Sequence, residues 1–147
     1  MDALIPADQD PGARDAGAVL YIDRQLTRKY KRHQQTYRDA LQAIDQLGPA
    51  PFASLDFDAR TRLLQQLESG QVPARLFPGG GKAVFELVLA HTMQGFYGNP
   101  RHGGNRDYAS WRMMGVPPMP VRGRNLYDLS GEGLAAGPRR KTWRSRG

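Results

Sequence analysis

The side chains able to do chemistry are few and scattered. The chain has 147 residues, three histidines and no cysteine. His33, His91 and His102 form no His-x-x-x-His or Glu-x-x-His pair on a helix, so metal-assisted hydrolysis has no ligand set. His33 and His91 fall on apolar helical stripes, which predicts core rings bonded to backbone carbonyls. Pro78-Gly-Gly-Gly-Lys82 invites a phosphate-loop reading. That loop needs a Gly five residues before the Gly-Lys pair and a Ser or Thr after it, and Leu76 and Ala83 stand there instead. A flexible lead into a helix is expected in its place. There is no Gly-x-Ser-x-Gly elbow and no convincing pair of catalytic carboxylates. The expectation is a chain with no catalytic, metal-binding or cofactor-binding residues of its own.

Charge is the other chemical feature. The net charge is +7 and the sequence pI about 10.1. Residues 24–38 hold six Lys or Arg and no acid, and residues 122–147 hold seven basic against two acidic residues. The first 23 residues are acidic, with five Asp against one Arg. Such a distribution suits phosphate backbones or an acidic protein partner. A nucleic-acid-binding module using residues 24–38 and the tail is therefore the alternative reading. Against it, Tyr30 and Tyr37 sit on the stripe assigned to the core and are poor stacking platforms, and no reading motif accompanies the arginines.

These residues need elements to position them. From about Asp15 to Leu47, Val19, Ile22, Leu26, Tyr30, His33, Tyr37, Leu41, Ile44 and Leu47 recur at spacings of three and four, which predicts one long N-terminal helix. Gly48, Pro49 and Pro51 stop it. A second helix is predicted from about Asp58 to Ser69, with Ser54 or Asp56 as N-cap and Gly70 as the C′ residue. A third, from about Lys82 to Tyr97, is apolar on almost every side and is predicted to be the buried central helix. Asn105 is expected to cap a short helix through Met114. No segment alternates like a half-buried strand. The predicted class is all-α, with a helical domain over residues 1–120 and a basic, extended tail over 121–147. No apolar run approaches the ~20 residues of a membrane span. No leader is visible at Met1-Asp2.

One stretch escapes periodicity: HTMQGFYGNPRHGGNRDYASWRMMGVP, His91 to Pro117. It is dense in glycine, aromatics and arginine, the types used in tight turns and at interface anchors. Tyr97, Arg101, His102, Asn105, Arg106, Tyr108, Trp111 and Arg112 are the candidate partner-binding residues. A rigid turn stapled by Asn105 and by Arg101 or Arg106 is the structural alternative.

This segment resembles the signature of the gluconate 2-dehydrogenase subunit 3 family. The opening ALIPADQDPGARDAGAVLYIDRQL (Ala3–Leu26) resembles that family's start, and LLQQLESGQ sits where the family places it. The resemblance covers about residues 3–120. It implies the small, gamma subunit of a bacterial membrane-bound oxidoreductase complex. In such a complex a large FAD-dependent flavoprotein of the glucose–methanol–choline type oxidises a sugar or polyol. A multihaem cytochrome c subunit passes the electrons on. The small subunit, without cofactor, would bind the flavoprotein, act as its chaperone and carry it through twin-arginine export to the periplasm. Contact with the membrane would be indirect, through the cytochrome, and no nucleic acid would be involved.

Overall fold

The computed structural model describes residues 1–117, whose regular elements are all helical, with no strand among them. The expected tail over 121–147 and the domain boundary at 120 lie outside the described residues. Among the described residues there are five α-helices: α1 (Ala18–Leu26), α2 (Gln34–Leu47), α3 (Phe57–Glu68), α4 (Gly81–Tyr97) and α5 (Ala109–Met113). The all-α class holds.

The single long N-terminal helix does not. As one helix, residues 15–47 would run about 50 Å, longer than a small domain is wide. The chain divides it at Thr27–His33. There the Tyr30 N–H reaches back to the Gln25 carbonyl (2.7 Å), and Lys31–His33 form a 3-10 turn. Gln34 Nε2 then caps the released Leu26 carbonyl at 2.8 Å. The break turns Tyr30 inward, where its ring stacks on His91 with centroids 3.9 Å apart and planes 4° off parallel. Two shorter helices can thus both face α4.

The second helix follows its sequence signals. Asp56 accepts a hydrogen bond from the Ala59 N–H at 2.7 Å, and Gly70 takes a left-handed φ of 73° just past the end.

The third helix needs correcting. α4 packs against both α1 and α3, yet apart from Gly81 at its start its buried residues, His91, Thr92, Gly95 and Phe96, lie in the C-terminal half. Val84, Phe85, Leu87, Val88 and Leu89 are only partly buried, and Met93 is exposed. An apolar-all-round helix is expected in a sealed core; here one side of it borders open space. The physical reason is visible in the packing. Buried apolar residues fall into three clusters: Ala13, Ala16, Ala18 and Phe96; Tyr21, Ile22 and Tyr30; and Ala43, Leu67 and Phe77. Between the second and third clusters the four longer helices do not close.

Candidate functional site

The glycine-rich segment begins where α4 ends, and a helix end leaves its last carbonyls without intrahelical partners. The Gly98 N–H returns to the Gln94 carbonyl at 3.0 Å. The next carbonyls are met from across the turn by side chains. Ser110 Oγ donates to the Phe96 carbonyl, Trp111 Nε1 donates to the Tyr97 carbonyl at 2.8 Å, and Asn105 Nδ2 donates to the Gly98 carbonyl at 3.0 Å. Asn105 Oδ1 in turn accepts the Ser110 N–H at 3.0 Å. Three side chains from the signature therefore cap α4.

That arrangement requires the backbones to touch. A Cβ on Gly104 would fall inside the contact distance of the Gly95 carbonyl oxygen, so only glycine fits there. The turn is also wound unusually. Asn105, Asp107 and Tyr108 all have positive φ, at 45°, 53° and 58°. A left-handed non-glycine residue carries a cost of ~1 kcal/mol or more, which the surrounding hydrogen bonds must offset. The Arg106 N–H is bonded to the Ala16 carbonyl at 2.9 Å, anchoring the turn to the residues before α1.

The eight sequence-predicted residues thus separate into an inner and an outer set. Asn105 (0% exposed) and Trp111 (7%) turn inward. Tyr97 is half-buried, with its ring edge-on to Phe96 at 4.8 Å. Tyr108 is half-buried and leans on the Trp111 ring at 5.7 Å. Arg101, His102, Arg106 and Arg112 face solvent, and Arg101 Nε donates to His102 Nε2 at 3.3 Å. Asn105 caps the short helix as expected in kind but not in place: a 3-10 turn, Arg106–Tyr108, intervenes and α5 starts only at Ala109. Ser110 was not foreseen. Its spacing of fourteen residues from Phe96, the same as Trp111 from Tyr97, is legible only once the turn is known.

The histidines depart from expectation in their partners. His91 is buried, but its Nδ1 pairs with the Tyr37 hydroxyl at 2.9 Å and not with a carbonyl. Burial, and then the positive field of His33, Arg32 and Lys29, hold its pKa below the ordinary histidine value. Burial pushes the Tyr37 phenol up from its usual range, with Tyr30 adding to it. His33 is partly buried and accepts from Arg32 Nε at 3.1 Å. Nearby, the Tyr21 and Tyr30 hydroxyls meet each other at 3.1 Å and both reach Gln94 Oε1. These bonds knit α1, the 3-10 turn, α2 and α4 together. Among the described residues no three His, Asp or Glu side chains converge as a metal site would require.

The space between the second and third clusters is a groove of about 430 Å³. Val19, Ile22, Leu26, Leu41, Ile44, Leu64, Val84, Phe85 and Val88 are among its walls, with Asp23 and the Tyr37 phenol as polar exceptions. No Lys, Arg or His lines it. Val19 (51% exposed) and Leu41 (63%) stand at its mouth. Both were predicted to be core stripe residues, and both are instead open to solvent.

Compared with known proteins, residues 1–118 match the family model for gluconate 2-dehydrogenase subunit 3. The chain belongs to that family. No curated protein matches it, and neither does any solved structure. As a subunit 3, it is expected among the chains of a multi-subunit dehydrogenase. None of its described helices is long and apolar enough to cross a membrane.

Proposed function

We propose that this subunit 3 is a non-catalytic accessory chain. In this reading it binds the large, FAD-dependent, glucose–methanol–choline-type subunit of a sugar or polyol dehydrogenase, supports its maturation and accompanies it through twin-arginine export to the periplasm. A multihaem cytochrome c subunit would receive the electrons.

The observation that carries the reading is the open apolar groove beside α4. Apolar surface of this kind, rimmed by exposed Val19 and Leu41, is characteristic of a chain that completes its packing against another. The family's designation as a dehydrogenase subunit names where such another chain is to be found. No Lys, Arg or His lines the groove to meet a flavin's pyrophosphate. In this reading the flavin belongs to the large subunit.

The test is co-expression with that large subunit, followed by size exclusion and a flavin absorbance spectrum of each peak. Co-elution, with flavin retained only when both chains are present, is the expected result. A flavoprotein that is fully loaded and active alone, with this chain eluting separately, overturns the reading. Leu41→Asp localises the contact. Leu41 is 63% exposed, so the isolated chain should keep its helical circular dichroism while co-elution is lost.

A further inference from the structure

Arg24, in the last turn of α1, and the arginines of the signature turn are about eighty residues apart in sequence, and the fold brings Arg24 to that turn. The Arg24 side chain lies along Gly103: a Cβ on that glycine would stand 2.8 Å from Arg24 Cδ and 2.9 Å from its Nη1. Gly17 borders the same turn, and a Cβ there would stand 3.5 Å from the Gly103 carbonyl oxygen and 3.7 Å from Arg106 Nη2. Arg24 and Arg106 therefore flank one glycine turn, with Arg101 and His102 just before it, and all four side chains are exposed. The ion pairs among the described residues join Arg14 to Asp2 and Lys82 to Glu86. None neutralises these arginines. Arg24 also stands in the last turn of α1, where a cation suits the helix dipole, but no carboxylate within the described fold pairs with Arg24 or Arg106.

We infer that Arg24 and Arg106 form a single cationic docking face that receives carboxylates from the large subunit. The inference rests on the accessory-subunit reading and adds the chemistry of the partner's surface. Guanidinium groups suit carboxylates because the planar fork donates to both oxygens at once. A protein is favoured over a nucleic acid by the charge beside the turn. Asp107 adjoins Arg106 and is exposed. A continuous polyanion would meet that carboxylate as well as the arginines, whereas a protein surface can place its acids opposite the arginines alone. Such a face contributes chiefly to association rate and orientation. The groove would supply the apolar contact.

The experiment measures binding of the purified chain to the large subunit between 50 and 500 mM NaCl, for wild type and for Arg24→Glu/Arg106→Glu. Arg62→Glu, an exposed arginine on α3, is the control. The double reversal should weaken binding about tenfold or more at low salt and flatten the salt response, since like charges would then face each other across the contact. The control should match wild type, and circular dichroism should be the same for all three. If wild type binds and the double reversal binds equally with the same salt slope, the cationic face is overturned while the accessory role stands. If wild type does not bind the large subunit at all, the accessory reading fails and the face falls with it. A 20-base-pair DNA duplex is the second probe. Binding to it as tight as to the large subunit, and lost in the same variant, would overturn the assignment to an acidic protein surface.

Discussion

Replacing Asn105 by alanine should be among the most damaging single changes available outside the apolar clusters. Its side chain is fully buried and makes two hydrogen bonds to main chain, donating to the Gly98 carbonyl and accepting from the Ser110 N–H, each at 3.0 Å. Alanine would leave a buried N–H and a partly buried carbonyl unpaired. The first costs ~1–3 kcal/mol and the second about 1 kcal/mol. The position also has φ 45°, where alanine pays roughly 1 kcal/mol that asparagine largely avoids. The total is about 3–5 kcal/mol, a large share of the ~5–15 kcal/mol that holds a domain folded. For a domain of this size that corresponds to a fall in Tm of roughly 12–20 °C. Thermal and urea unfolding followed by circular dichroism would measure it. Asn105→Gly separates the contributions, because glycine tolerates the left-handed backbone and should recover about 1 kcal/mol of the loss. A loss below ~1 kcal/mol in the alanine variant, with Arg106→Ala equally mild, would refute the claim that Asn105 holds the turn onto α4.

Gly104→Ala should fail to reach the native fold, because the new methyl would meet the Gly95 carbonyl, whereas Gly79→Ala, with open space around it, should be tolerated; soluble yield and far-ultraviolet circular dichroism decide. Trp111→Ala should destabilise the isolated chain by ~3–5 kcal/mol through cavity formation and loss of the bond to the Tyr97 carbonyl, so loss of complex in that variant reports on folding before docking. Stability should also depend on pH in a signed way. His91 has a lowered folded pKa, so its contribution is fully present above the unfolded value of 6.5 and is lost as pH falls below it; urea midpoints taken from pH 8 to 5 should drop, and His91→Phe should remove that limb. The Tyr37 phenol, raised by burial, gives the opposite limb: stability is present below the unfolded value of 10.0 and declines as pH rises above it.

The helical class, α3 with its Asp56 cap, and the extent of α4 were legible because each depends on local signals within one or two turns of chain. The break at Thr27–His33 was not. The apolar stripe continues through it without interruption, and the pull comes from Tyr30 stacking on His91, sixty-one residues away. Periodicity reports which residues share a face, not whether the helix that bears them can fit. The same blindness hid the groove. Val19 and Leu41 have the stripe positions of core residues, and only the packing of four helices shows that the space before them is left open.

The signature segment itself shows why composition pointed to the right place for more than one reason. Its recognisable residues, the glycines, Asn105, Ser110 and Trp111, are those that close α4 and let two backbones meet at Gly95 and Gly104. Residue types with so few substitutes are what make a sequence distinctive, and here they serve the turn. The arginines around them are generic in sequence and acquire meaning only from position, because the closed turn is what lays Gly103 against Arg24 and fixes the Arg106 main chain on Ala16. The turn therefore acts as a template: a rigid backbone stored at some cost in left-handed residues, on which exposed cations from two distant segments hold a fixed relation. A looser loop could carry the same charges, but its backbone would have to be ordered on binding, at about 1–2 kcal/mol for each residue fixed. On the proposed docking face, a turn whose backbone is already fixed by the fold would avoid that cost.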